Sequence, residues 1–279
     1  DFGKELALDG KLIESYATPY GQKKKKDKRS DLDADFTCKE RHGKNGYVKK
    51  ENYYGFRCHL IVDAHYELPI AWQVTPASKG EPTVAKKMIS HLSEKVLDRA
   101  QYLMADRGYS GEPLQHLLED ADILPIIDAP HRWKEEETRQ YLDTDIVYNQ
   151  SGQVFWVDDQ CEEIELLYKG YDKSCDSLRY GFHPQYQDSR IFRLKRSFEP
   201  IIFNKVGRAS QKFKRQYKKR TSVERVNGRL DRDFRFENHT IRGLKKMRLA
   251  ISMSFLVMIG FALAKLKTGN QAHLASWVV

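Results

Sequence analysis

The sequence predicts an α/β protein in which a mixed sheet is flanked by helices and a β-rich stretch is inserted before the last helices. Three observations carry this. Short β-type runs come before the first helical pattern and then alternate with it, the order expected when helices pack on a mixed sheet. From 132 to 200 the pattern changes to short alternating runs such as DIVYN, QVFWVDD and EIELLYKGYD separated by polar turns. Helical periodicity then returns over Gln211 to Phe236 and Leu244 to Leu266. We therefore divide the chain into 1–131, 132–200 and 201–279, the outer two forming one core and the middle one the insertion.

Taken in order, Glu5 to Leu8 followed by Asp9-Gly10 reads as a strand running into a turn. Residues 20–50 carry the run KKKKDKR and glycines at 21, 43 and 46, which is loop chemistry. Tyr54 to Val62 and Ile70 to Thr75 form a hairpin-like pair of strands. Val84, Met88, Leu92 and Val96 then recur at helical spacing, so residues 83–98 are expected as one amphipathic helix. Tyr102 to Ala105 is a strand ending at Asp106-Arg107-Gly108, 112–121 a helix, and Leu124 to Ile127 a strand. The apolar run Leu249 to Ala264 has sixteen residues, short of the ~20 that span a bilayer, and is expected as a buried core helix with no membrane partner.

With 279 residues, 40% hydrophobic and 31% charged, the chain lies outside disordered, collagen-like and coiled-coil compositions. It begins with Asp1 just before a strand, so a trimmed chain or a fragment is expected. The net charge of +9 is unevenly placed. Residues 193–220 hold eleven Lys or Arg against the single acid Glu199, a local +10, whereas 135–176 hold twelve acids against three basic residues. Positive charge concentrated in one stretch suits a polyanion, with nucleic acid the commonest. Cys38, Cys58, Cys161 and Cys175 include no CxxC pair, as expected in a reducing cytoplasm. Cys161, Cys175 and His183 could in principle meet over a metal, but their spacing fits no compact zinc finger.

Three acids stand out by position. Asp9 and Asp106 are each placed at a strand end, where α/β proteins collect ligands. Glu224 follows the most basic segment, and Tyr217, Arg220 and Glu224, at i, i+3 and i+7, would share one helix face. Asp63, and Asp31, Asp33 and Asp35, are competing acids. An exposed surface carboxylate is the ordinary role for any one of them alone.

The blocks LALDGK at 6–11, YYGFRCHLIVD at 53–63, PIAWQVTPAS at 69–78, MADRGYSG at 104–111 and YKKRTSVERVNGRL at 217–230 together resemble, across nearly the whole chain, a DDE transposase. The type resembled is the bacterial insertion sequence family four, whose signature is Tyr, two residues, Arg, three residues, Glu, six residues, Lys. Tyr217, Arg220 and Glu224 match it; the Lys position holds Asp231, with Arg232 beside it. The resemblance implies an RNase H-like core, with the β-rich insertion between the second and third acids. It further implies Asp9, Asp106 and Glu224 as catalytic residues and ligands for two Mg²⁺ or Mn²⁺ ions, a use that hard oxygen donors suit. The substrate would be double-stranded DNA, at transposon ends and target, held by Tyr217, Arg220, Lys212, Lys214, Arg215, Lys218, Lys219 and Arg232. A homodimer on paired ends in the bacterial cytoplasm would be the working form. The competing readings are a catalytically silent DNA-binding relative and a host nuclease of the same fold. Phe155 and Trp156, adjacent in a strand-like run, would face opposite ways, leaving one ring to stack a flipped base or both to be buried.

Overall fold

The computed structural model describes residues 1–19, 29–42, 48–130, 132–134, 137–270 and 274–277. Most of the KKKKDKR run, and the glycines at 21, 43 and 46, lie outside the described residues. The chain forms two compact units, residues 1–100 with 221–279, and residues 101–220. These boundaries are not those of the three segments drawn from the sequence.

The first unit opens with β1 (Glu5–Glu14), β2 (Asp35–His42), β3 (Val48–Asp63) and β4 (Leu68–Pro76). β3 is long enough to pair antiparallel with β2 along its first half and with β1 and β4 along its second. Two expectations change here. Asp9 does not close a strand, because β1 continues for five residues beyond it, with Asp9 opposite Leu60 and Gly10 opposite His59. The Asp-Gly turn signal yields to the ladder that KLIE makes with β3. Part of the expected 20–50 loop is also strand, since β2 and the start of β3 pair from Asp35 to His42. At Gly55 the strands come so close that a Cβ would lie 2.2 Å from the Ile13 carbonyl oxygen and 2.7 Å from the Ser15 nitrogen.

The helix expected over 83–98 is two helices, α1 (Glu81–Ser90) and α2 (Glu94–Leu97). His91 N bonds back to Met88 O, and Ser93 adopts an extended conformation as the next N-cap, so the periodic Leu92 falls in the break.

In the second unit, β5 (Tyr102–Ala105), α3 (Glu112–Asp120) and β6 (Leu124–Ile127) follow the sequence pattern closely, and β5 and β6 pair in parallel. β7 (Thr138–Gln140), β8 (Ile146–Asn149), β9 (Val154–Val157), β10 (Glu163–Asp172), β11 (Ser177–Gly181) and β12 (Ile191–Lys195) then form a six-stranded sheet in chain order, antiparallel throughout. Its core gathers Tyr148, Val154, Leu166, Leu178, Tyr180 and Phe203. Trp156 packs on this core, edge-on to Phe182 at 5.4 Å and beneath the Arg190 guanidinium at 4.8 Å, while both Phe155 and Trp156 are half-buried. The unit ends with α4 (Gln211–Lys218), capped by Ser210, whose hydroxyl accepts from Phe213 N.

The first unit resumes with α5 (Thr221–Arg232), which packs on β1 and β3 through Val223, Val226 and Leu230. The expected continuous helix over 211–236 is therefore broken at 219–220. Arg220 N bonds to Tyr217 O, three residues back, which tightens the last turn and ends the helix. The last element, α6 (Leu244–Lys267), is capped by two acids: Asp31 accepts from Gly243 N at 2.8 Å and Asp33 from Leu244 N at 3.0 Å. α6 is not the wholly buried helix expected. Met247, Ile251, Phe255 and Met258 are buried, and Trp72 packs at a tilt against Phe255 and donates to Ser252, but Leu249, Met253, Leu256 and Leu263 are each more than half exposed. By length and composition it is the one helix among the described residues that could cross a membrane.

Candidate active site

Two of the three predicted acids lie in the first unit. Asp9 projects from the middle of β1, and Glu224 stands exposed in the first turn of α5, where a carboxylate is favoured by the helix dipole. β1 and α5 are in contact, and beside their apolar packing two polar pairs join them. Asn227 Nδ2 donates to Asp9 Oδ2 at 3.0 Å, and the Lys11 ammonium is bound to the Asp231 carboxylate. Asp9 and Lys11 are two apart on a strand and share a face. Glu224, Asn227 and Asp231 are spaced i, i+3 and i+7 on the helix and share one face in turn.

The donor chemistry around Asp9 fits a hard divalent cation. Asn227 Oδ1 and Asp231 Oδ1 are buried and have no hydrogen-bond partner among the described residues, so oxygen acceptors sit on the same helix face as Glu224. Cys58, opposite Lys11 in the sheet, offers no competing thiolate, because burial pushes its thiol up to about 12. Among the described residues no three His, Cys, Asp or Glu side chains are assembled into a group that could hold a metal.

The competing acids have structural work. Asp63 is fully buried and accepts from Gly3, His65 and Tyr66 amides, closing the turn between β3 and β4. Asp31 and Asp33 cap α6, as described above.

The third acid, Asp106, lies in the second unit at the end of β5, where its carboxylate accepts from Gly108 N at 2.9 Å. Tyr217, Arg220 and the lysines of α4 belong to the same unit. The break at 219–220 corrects the single helix face expected for Tyr217, Arg220 and Glu224. Tyr217 is stacked on Phe213 at 5.9 Å with the Arg220 guanidinium 5.7 Å over its ring. Burial holds its hydroxyl above the ordinary value; Arg220 opposes this, and the carboxylates of Asp128 and Asp106 add to it. Lys212 lies over the Tyr102 ring at 5.5 Å, and Lys212, Lys214, Arg215 and Lys218 are exposed. Exposed cations on one short helix suit phosphate contact. Part of the earlier basic stretch is spent inside the unit: Arg196 binds Glu119 and Asp176, and Arg208, nearly fully buried, pairs with Asp128, whereas Arg193 binds Asp172 from the surface. Arg232 is exposed at the end of α5 and binds Asp233.

Cys161 and Cys175 are exposed and form no metal group with His183 among the described residues. Sequence reasoning missed Asn227 and Lys11. Their only signals were spacing, Lys11 two residues after Asp9 and Asn227 three after Glu224.

A strand carboxylate hydrogen-bonded to a helix that bears further acids, and a lysine-rich helix fit for phosphates, suit an enzyme acting on nucleic acid. The transposase DDE domain model matches residues 4–259, and the chain belongs to that family. The family is one of DNA-cutting and DNA-joining enzymes that generally use divalent metal ions, and the mixed α/β architecture fits it. No curated protein matches the chain.

Proposed function

We propose that the chain is a transposase of the insertion sequence family four type, cutting phosphodiester bonds at the ends of a mobile element and joining them to target DNA. The single observation that carries this beyond family membership is the Asn227–Asp9 hydrogen bond, which fixes a β1 carboxylate on the helix face that also bears Glu224. In this reading Asp9, Asp106 and Glu224 hold two Mg²⁺ or Mn²⁺ ions. Bound there, the ions would neutralise charge building on the phosphate and lower the pKa of the attacking water or hydroxyl. The protein's own part is to place oxygens: Asn227 orients Asp9, and the first turn of α5 presents the Glu224 carboxylate.

The second unit supplies the grip on DNA. Arg220 can clamp one phosphate bidentately and Tyr217 can donate its hydroxyl to the same backbone, with Lys212, Lys214, Arg215, Lys218 and Lys219 contacting neighbouring phosphates irrespective of sequence. Arg232 extends the contact from α5. The family's signature Lys is replaced by Asp231, whose charge is balanced by Lys11. Two copies on paired element ends in the bacterial cytoplasm complete the reading, with the β-rich stretch as an insertion in an RNase H-like core.

The test is incubation of the chain with duplexes carrying its element's ends, in Mg²⁺ and in EDTA. Nicks at the element boundary in Mg²⁺ alone support the reading; binding without cleavage in either condition would leave a silent relative.

A further inference from the structure

The helix that carries Glu224 has a second face of opposite chemistry. Arg225, Arg229 and Arg232, at i, i+4 and i+7, line a cavity of about 720 Å³ with His65, Tyr66, Glu67 and the segment Leu274 to Ser276. Glu67 is the single carboxylate of that lining, against three guanidinium groups. Arg229 is the fixed element. It is 6% exposed, donates from Nη1 to Ala275 O and from Nη2 to the Glu67 carbonyl, and leaves Nε buried with no acceptor among the described residues. Arg225 binds the Glu67 carboxylate and Arg232 binds Asp233, but their side chains are 53% and 71% exposed, so both can turn to an incoming anion.

Gly228 lies between the two faces, and it points the same way. Glycine inside a helix is costly relative to alanine, and the described residues give no packing reason for it: a Cβ there would meet none of their atoms within 4 Å. Gly228 itself lines the arginine cavity, and it stands four residues after Glu224, on the side of the helix turned towards that carboxylate.

We propose that this cavity holds a backbone phosphate of the nucleic acid strand, gripped by Arg225, Arg229 and Arg232 as the strand passes over Gly228. A phosphodiester suits it because guanidinium groups bind phosphate oxygens in pairs, and because one helix then holds the backbone on one face and presents carboxylates from another. A mononucleotide has the same phosphate chemistry and is the alternative source that the test must separate. The inference rests on the DNA reading above, but it concerns binding and not cleavage.

The experiment is fluorescence anisotropy of the full chain with a labelled duplex in EDTA, over a range of salt. Arg225→Ala/Arg232→Ala should weaken binding about tenfold and flatten the log K against log salt plot by roughly one unit, a single phosphate contact contributing about 0.9. Arg225→Lys/Arg232→Lys should keep the slope. Gly228→Leu changes no charge and favours the helix, so it should raise Tm yet weaken duplex binding by filling the rim. Adenosine monophosphate and inorganic phosphate serve as competitors and should displace the duplex only at concentrations far above its Kd. Unchanged slope and affinity in the Ala pair, with circular dichroism intact, would overturn the proposal. So would Gly228→Leu binding as the parent does, or displacement by low adenosine monophosphate, which would mark a mononucleotide pocket. If the unsubstituted chain fails to bind DNA, the DNA reading falls and takes this inference with it; loss of cleavage with binding intact touches only the catalytic reading.

Discussion

Asn227 Nδ2 reaches Asp9 Oδ2 across 3.0 Å, although 218 residues separate them in sequence. Asn227 is 8% exposed and Asp9 half-buried, so the bond is partly withdrawn from water, and a hydrogen bond to a charged group is worth about 1.5–3 kcal/mol. Asn227→Ala should lower the unfolding free energy by about that much and reduce Mg²⁺-dependent cleavage. Asn227→Asp, which sets a second carboxylate against Asp9, should be worse in both. Denaturant melts and a nicking assay check this, and equal stability of parent and Asn227→Ala would count against the bond.

Asp9→Asn, Asp106→Asn and Glu224→Gln should each reduce cleavage more than about 100-fold, the several kcal/mol that metal ions contribute to such transition states. DNA affinity in EDTA should stay within a few-fold of the parent. A substitution that spares cleavage removes its residue from the catalytic set.

Replacing Lys214, Arg215, Lys218 and Lys219 by Ala should flatten the salt dependence of DNA binding by about three to four units, at about 0.9 per phosphate contact. The matching change of Arg196 and Arg208 should leave the slope nearly unaltered, since those side chains are buried and already bind Glu119, Asp176 and Asp128. An unchanged slope in the first variant would mean that α4 does not meet DNA.

His59 is fully buried on β3 beside the Thr75 hydroxyl, and burial pushes it down to about 4. The unfolded chain takes up the proton near pH 6.5, before the folded one does, so the contribution is complete above that value and is lost as pH falls towards 4. The expected loss is about 2–3 kcal/mol. His59→Gln should remove that slope from a plot of unfolding free energy against pH, whatever it does to stability at neutral pH.

How far the sequence could be read depended on whether the determining contacts were local. β5, α3 and β6 were legible nearly to the residue, because apolar runs of the right length are punctuated by Asp106-Arg107-Gly108 and Ala121-Asp122. β1 was cut short at Asp9-Gly10, since no local signal announces the β3 ladder that carries the strand on to Glu14. The break between α4 and α5 was invisible for the opposite reason: apolar periodicity continues through 219–220 while one three-residue hydrogen bond resets the helix. Of the candidate site, the acids could be picked out by motif. Asn227 and Lys11 could not, because what distinguishes them is contact with residues about 220 positions away.

The crowding at Gly55 has a consequence for how this sequence can vary. The atoms a new Cβ would strike belong to the backbone of residues 13–15, so no rotamer change on either strand can make room. In a saturation library every codon but glycine should vanish at position 55 under selection for folded protein, the alanine codon included. Position 228 should behave differently in the same library: it ought to accept many codons when survivors are sorted for solubility and shed the bulky ones only when they are sorted for hold on DNA. Two glycines that look alike in the sequence would thus record two separate selective histories, one written by the sheet and one by a ligand.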